Sequence, residues 1–229
     1  MLKMELCVYL LFLSCVVGQA LSTCYSLEKA YNTFLLFDTN GIRFAERSDF
    51  QLSFKTESNS GLLFYAESKF ETHGTALDYE AVYIYQGKLH YFIFNPTRYG
   101  TGSSRGGHVS TDYEVSEGVW HKVEFFRNKE AEVPAALSGD GYKKVNQTGF
   151  IINGRSFVAD GFVNAMDVTG QNLFIGGHPR LRRIDQSGKI GAFNGYVKDF
   201  KDMLTDKEMF PEQPGQLRES TDCGATSAP

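Results

Sequence analysis

Gly102, Ser104 and Gly106 stand at the spacing of a nucleophile elbow, in which a serine on a sharp strand-to-helix turn attacks a carbonyl carbon. That chemistry needs a strand before the serine and a helix after it. Here the Gly/Ser stretch from Gly100 to Gly107 runs into VSTDYEVSEG, which has no helical periodicity, so the residues favour a surface loop. The stretch lacks the lysine of a phosphate-binding loop, and Arg105 stands where a dinucleotide fingerprint wants its third glycine. His73, His90, His108, His121 and His178 show neither an i, i+4 helix pair nor the Cys/His spacing of a zinc site. His121 alternates with Val119, Val123 and Phe125 and reads as a hydrogen-bonded structural residue at a sheet surface. Trp120 beside it reads as a packing residue or as an aromatic at a binding face. No paired acids at alternating spacing on one strand offer the two carboxylates, roughly 5 to 10 Å apart, that a glycosidase needs. Asp78, just before a strand, and Asp167, in a loop before another, are of the type that holds calcium together with backbone carbonyls and water. By themselves they read equally as turn or solvent-facing acids.

Residues 1–20 read as a secretory signal: Lys3 precedes an apolar run from Cys7 to Val17, and Gly18 and Ala20 supply the small residues a peptidase needs. The run is shorter than the roughly 20 residues that cross a bilayer, and no second candidate span follows it. Cleavage leaves Cys24 and Cys223 in an oxidising compartment. They pair with each other, tying the ends of the domain together, or with another chain. A bond closing so long a loop contributes roughly 5 kcal/mol in the chain-entropy picture. Asn146, Gln147 and Thr148 form the single N-glycosylation acceptor, in a polar stretch expected to be a surface loop. The net charge of −4 makes the chain a poor general binder of nucleic acid or anionic membrane.

The elements that must position these groups are strands. FQLSFKTESNSGLLFYAES, ALDYEAVYIYQGKLHYFIF, GVWHKVEFFRN, NLFIGGHP and FNGYVKDF are short aromatic and branched runs with period-two alternation, each ending at Gly, Asn or Pro. Phe50, Leu52 and Phe54 alternate with Gln51, Ser53 and Lys55, which sends the first set to a core and the second to water. Val82 and Ile84 alternate with Tyr83 and Tyr85, apolar on both faces as in a central strand. Gln86-Gly87 and Asn153-Gly154 are hairpin turns, the second of type I′. Asp202 to Phe210 carries the best of the few helix signals, Thr205 and Glu208 at capping-box spacing with Pro211 as the stop. Lys129 to Gly149 reads as a surface loop or an inserted hairpin. Residues 21–223 form one domain without repeats, and 224–229 a flexible tail.

The order and wording of these blocks resemble the laminin G-like domain over about two thirds of the chain. The resemblance implies an all-β fold, a two-sheet antiparallel sandwich of jelly-roll type, and a secreted recognition or adhesion module that catalyses nothing. It implies a possible calcium ion on the sandwich rim, held by Asp78 and by Asp167, the latter one residue out of step, with backbone carbonyls near Pro96 and Met166. A weak extracellular affinity on the order of 10⁻⁴ M is expected of such a site. Tyr196 follows Asn194 and Gly195 where many members have a cysteine, so the usual C-terminal disulfide is absent and Cys223 is left for Cys24.

The partners implied are extracellular glycans, glycoprotein receptors or matrix proteins. For a sulfated glycan the candidate residues are Arg180, Arg182 and Arg183 in one loop and Lys143 and Lys144 in another. Screening over about 8 Å lets such local clusters act despite the negative total. The alternative is a carrier that seats a small apolar ligand between the sheets, as a steroid-binding globulin of the same fold does, using some of the 19 Phe and 12 Tyr.

Overall fold

Period-two alternation builds two layers. The computed structural model describes residues 24–27, 33–39, 46–67, 78–94, 106–134, 142–160, 172–179, 181, 189–212, 218–220 and 223. One sheet holds β1 (Cys24–Leu27), β3 (Ser48–Lys55), β8 (Trp120–Pro134), β9 (Tyr142–Ile152), β10 (Arg155–Asp160), β12 (Gly195–Asp202), β13 (Lys207–Glu208) and β14 (Arg218–Ser220). Its order is β10-β9-β8-β3-β12-β1-β14, with β13 on β12. The other holds β2 (Leu35–Asp38), β4 (Ser60–Glu67), β5 (Tyr79–Tyr85), β6 (Lys88–Phe94), β7 (His108–Ser110) and β11 (Asn172–Ile175), in the order β2-β11-β4-β5-β6-β7. All the strand pairs are antiparallel. The regular elements of the described residues are thus strands in two antiparallel sheets, the fold class expected.

The inward positions are those the alternation assigns. Phe50, Leu52 and Phe54 of β3 meet Phe64, Val82, Ile84 and Tyr91 of the facing sheet in one core. Rings fill the space between the layers: Phe64 lies 4.7 Å from Phe125, Phe37 4.8 Å from Phe200, and Phe50 5.6 Å from Phe200, centroid to centroid. Aromatic pairs at such distances contribute beyond the apolar area they bury. Among the described residues, these side chains pack between the two sheets. Both expected hairpin turns are present with the backbone that type I′ requires, φ being 52° and 75° at Gln86 and Gly87, and 50° and 82° at Asn153 and Gly154.

A buried ion pair joins the layers. Glu80 of β5 and Arg127 of β8 are both fully buried, with Arg127 Nε 3.2 Å from Glu80 Oε2. Ser48 Oγ and Tyr91 Oη donate to Glu80 Oε1 at 2.8 and 2.6 Å, and Arg127 Nη1 donates to the Glu46 carbonyl at 2.9 Å. A charge so deep persists only when its oxygens and protons are met in this way. The first and last strands meet as well: β1 pairs β14, and Cys24 and Cys223 form a disulfide with Cα atoms 5.6 Å apart.

Three local expectations are corrected. Asp202 to Phe210 is not helical. Strand β12 runs to Asp202, the chain reverses, and β13 pairs back on β12. The side chain of Asp202 organises that reversal, accepting Leu204 N–H at 3.0 Å and the Thr205 hydroxyl at 2.6 Å, and Asp206 takes φ +57°. The hydroxyl expected to cap a helix is therefore engaged with the carboxylate behind it. Within Lys129 to Gly149, the hairpin reading holds over 129–134 and 142–149: β8 and β9 extend as a paired arm from Lys129↔Gln147 to Pro134↔Tyr142, after a bulge at Asn128. Asn146 accordingly lies in a paired strand opposite Glu130 rather than in a loop, with Thr148 buried and accepting the Asn128 N–H at 3.1 Å. Lastly, His121 is not at the sheet surface. It is 4% exposed and packs on Phe54 at 5.3 Å, because its strand parity is that of Val123 and Phe125.

Candidate functional site

The outward positions of β8, β3 and β12 fall into two rows. Lys122 stands opposite Ser53, and Ser53 opposite Lys198. Trp120 stands opposite Lys55, and Lys55 opposite Tyr196. Since neighbouring strands lie about 4.8 Å apart, Lys122 and Lys198 are separated by about 10 Å with a small hydroxyl residue between them. Lys122 is exposed, and Lys55, Trp120, Tyr196 and Lys198 are half-buried. The Lys198 ammonium sits 4.8 Å from the centre of the Trp120 ring, a cation–π contact that holds the lysine stem along the indole. The bulge in β12 turns Asp199 into the left-handed region, φ +55°, where it accepts the Ser53 hydroxyl at 3.2 Å and lies 3.8 Å from Lys198. Three ammonium groups, one acid, an indole and a phenol thus share one shallow face, a surface suited to an extended polyanion.

Beyond Ser53 the same face is neutralised internally. Lys129 lies 2.9 Å from Asp49 and also pairs with Glu124, while its ammonium stands 5.0 Å from the Phe126 ring. Burial pushes the Asp49 carboxyl up to about 6, against the pull of the hydrogen bond and charge of Lys129, with Glu124 and Asp202 adding to the rise. At the inner edge His121 is lowered by burial, against the opposing charge of Glu117 at 3.3 Å, and its Nδ1 lies 2.9 Å from Asn153 Nδ2.

The outer face of the six-stranded sheet has another chemistry. Tyr65, Tyr79, Tyr83, Phe92, Phe94 and Phe174 point away from the core, and Leu181, Ile190 and Ala192 lie over part of them. A shallow pocket of about 150 Å³ opens there, lined by Leu62, Tyr79, Ala81, Tyr83, Phe92, Leu181 and Ile190. Burial raises the Tyr79 and Tyr83 phenols, so both stay neutral donors.

With the two faces in place, comparison with known proteins decides the family. The description "Laminin G domain" matches residues 54–201, well over half of the chain. The chain belongs to the laminin G domain family. It is 28% identical over 176 residues to a laminin subunit alpha of Drosophila melanogaster and 27% identical over 161 residues to laminin subunit alpha-1 of Mus musculus. Those alignments cover 76% and 69% of this chain and 4% of each laminin, so the chain spans a small fraction of the relatives it matches. Among solved structures, domains LG4-5 of the mouse laminin alpha1 chain superpose with a TM-score of 0.62 at 19% identity, covering 86% of this chain and 46% of that one. The LG1-3 region of the laminin alpha2 chain superposes with a TM-score of 0.56 at 16% identity, covering 89% and 35%. These likenesses establish the sandwich fold. Laminin homologues are extracellular matrix proteins, laminin G domains bind matrix and cell-surface partners, and the family is typically non-enzymatic.

The site residues expected of a laminin G domain are only partly described. Asp78 immediately precedes β5 and is half-buried, while Asp167, Pro96 and Met166 lie outside the described residues. Arg180, Arg182 and Arg183 also lie outside them, as do the Ser104 loop, the signal and the tail. Lys143 and Lys144 are exposed on the β8–β9 arm, where Lys144 faces Glu132 and Glu130 is two residues further along, so two acids at alternating spacing share that surface, against the expectation that no strand carries such a pair. Sequence reading missed Lys55, Lys122 and Lys198, since they come from three strands far apart in the chain. The available signal was parity: Lys55 alternates with Phe54 and reads as facing water, and Lys122 and Lys198 take the same outward position in GVWHKVEFFRN and FNGYVKDF. Among the described residues no group of three or more His, Cys, Asp or Glu converges, and no helix is long and apolar enough to cross a membrane.

Proposed function

We propose that this laminin G domain is a secreted, non-catalytic recognition module that binds sulfated matrix glycans, or glycoproteins carrying them, on the outer face of its eight-stranded sheet. The observation that carries the reading is the Lys122–Ser53–Lys198 row beside Trp120, Lys55 and Tyr196. Sulfate groups on a sugar chain would meet ammonium groups carried by strand positions about 10 Å apart along the sheet, and the indole and phenol offer apolar surface to the pyranose rings between them. Attraction of this kind is local and salt-dependent, so the total charge of −4 does not oppose it beyond a Debye length of about 8 Å. Arg180, Arg182 and Arg183 are a second candidate contact. The test is elution from immobilised heparin: alanine at Lys55, Lys122 and Lys198 is expected to lower the eluting salt concentration more than alanine at Arg180, Arg182 and Arg183. Equal elution of wild type and the lysine variant would contradict the assignment.

Calcium dependence belongs to the same proposal. Asp78 would hold the ion with Asp167 and the carbonyls of Pro96 and Met166, supplying a fixed positive charge at the rim for an acidic or hydroxyl-rich partner. What supports it is the place of Asp78 at the start of β5. Calorimetric titration with calcium is expected to give one site per chain that Asp78→Ala abolishes while unfolding remains cooperative; unchanged binding in that variant would count against the rim.

A further inference from the structure

Two histidines on the face opposite the lysines are brought together by strand pairing alone. His90 lies on β6 and His108 on the edge strand β7, and the register Tyr91↔Val109 puts both on the outer side of the six-stranded sheet. Their rings are 10° from parallel, and His90 Nδ1 is 3.0 Å from His108 Nε2. The other nitrogen of His90, Nε2, is 3.3 Å from the backbone carbonyl of Tyr85. A carbonyl only accepts, so that nitrogen carries the proton and Nδ1 is left with its lone pair directed at His108. The Tyr83 ring stacks on His90 at 5.1 Å and 5°, which fixes the imidazole in this orientation. Burial, reinforced by the charges of His108 and Lys88 and opposed by the Tyr85 hydrogen bond, lowers His90 below its usual value and keeps it neutral at pH 7.

We propose that His90 and His108 form a two-imidazole site for a borderline divalent transition-metal ion such as Zn²⁺ or Cu²⁺. Imidazole nitrogen suits these ions, whereas calcium takes oxygen donors. A ligating histidine usually gives its second N–H to a carbonyl or carboxylate, which sets its tautomer, and His90 does so to Tyr85. Two nitrogens each about 2.0–2.1 Å from one ion, at angles between square and tetrahedral, are about 2.8–3.4 Å apart; in the metal-free pair the two atoms stand 3.0 Å apart across their hydrogen bond, within that span but with the lone pairs not yet convergent. In the metal-free pair His108 donates its Nε2 proton to His90. On binding, that proton moves to His108 Nδ1 through solvent, a change of tautomer with no net proton released, and the exposed His108 ring turns so that both lone pairs meet the ion. Water fills the remaining positions. The site uses neither the lysine face nor Asp78, so it stands or falls independently of the glycan and calcium readings.

Titration of the full chain with Zn²⁺ alone at pH 7.4, by calorimetry, tests the site. One saturable site is expected, unaffected by excess Ca²⁺, with affinity falling roughly tenfold or more in both His90→Ala and His108→Ala. His108 is exposed on an edge strand, so its variant keeps the fold, as circular dichroism would verify. Selective shifts of the His90 and His108 ring resonances on adding Zn²⁺ to wild type are expected as well. Unchanged affinity in His108→Ala, loss of binding in His73→Ala instead, or no saturable binding by wild type would each overturn the proposal.

Discussion

The two outer faces of this sandwich rest on the same core yet differ in almost every respect. The eight-stranded sheet turns Lys122, Lys198, Lys55 and Trp120 outward, whereas the six-stranded sheet turns out Tyr79, Tyr83, Phe92 and a histidine pair. Both follow one rule of alternation, so the difference lies wholly in which residues fill the outward parity. The core parity decides that a sandwich forms; the outward parity, free of that duty, decides what each side can bind.

The largest expected effect breaks what the two faces share. Arg127→Ala leaves Glu80 charged and buried without its partner and is expected to cost about 3–5 kcal/mol in denaturant unfolding, whereas Glu80→Leu with Arg127→Met costs far less. If the single variant were as stable as wild type, the clasp between the sheets would not be the tie described.

Next is Asp49, on the neutralised half of the lysine face. Its folded carboxyl is raised to about 6 from an ordinary 3.8, so its contribution to stability is fully present below about pH 4 and is lost as pH rises through 6. Asp49→Asn is expected to retain about 1–2 kcal/mol that wild type loses between those limits, a range already reduced for solvent screening. Parallel pH–stability curves for the two proteins would show that the carboxyl is not perturbed.

Smaller again is the effect that separates the faces. Alanine at Lys55, Lys122 and Lys198 is expected to weaken a sulfated oligosaccharide roughly tenfold at low salt and to flatten its salt dependence, at well under 1 kcal/mol in stability per position. Trp120→Ala releases the Lys198 stem and is expected to weaken the same ligand by a few-fold, about 0.5–1 kcal/mol. Calorimetry over a salt series measures both. Matching losses on replacing Tyr83 or Phe92 would erase the distinction between the faces.

Much of this architecture is legible in the sequence. Phe50, Leu52 and Phe54 alternate cleanly and are buried as read, and the Gln86-Gly87 and Asn153-Gly154 turns are the tight hairpins their residues require. The Cys24–Cys223 bond is one of the two pairings that the cysteines left open. What failed was local chemistry overruled by tertiary pairing. Thr205 and Glu208 have the spacing of a helix cap, but Asp202 takes the hydroxyl and β13 returns to β12. Lys122, Lys198 and the His90–His108 pair were illegible for another reason: their proximity is created by register between strands remote in sequence, and nothing in any one strand announces it.

The central claim, that the outward parity of the eight-stranded sheet is the binding face, is tested most directly by lysine footprinting. The protein would be acetylated with and without a saturating sulfated oligosaccharide and the modified lysines read by mass spectrometry. Protection of Lys55, Lys122 and Lys198, with Lys143, Lys144 and Lys88 still modified, is the predicted result. Protection confined to Lys143 and Lys144, or no protection while the ligand is bound, would contradict it.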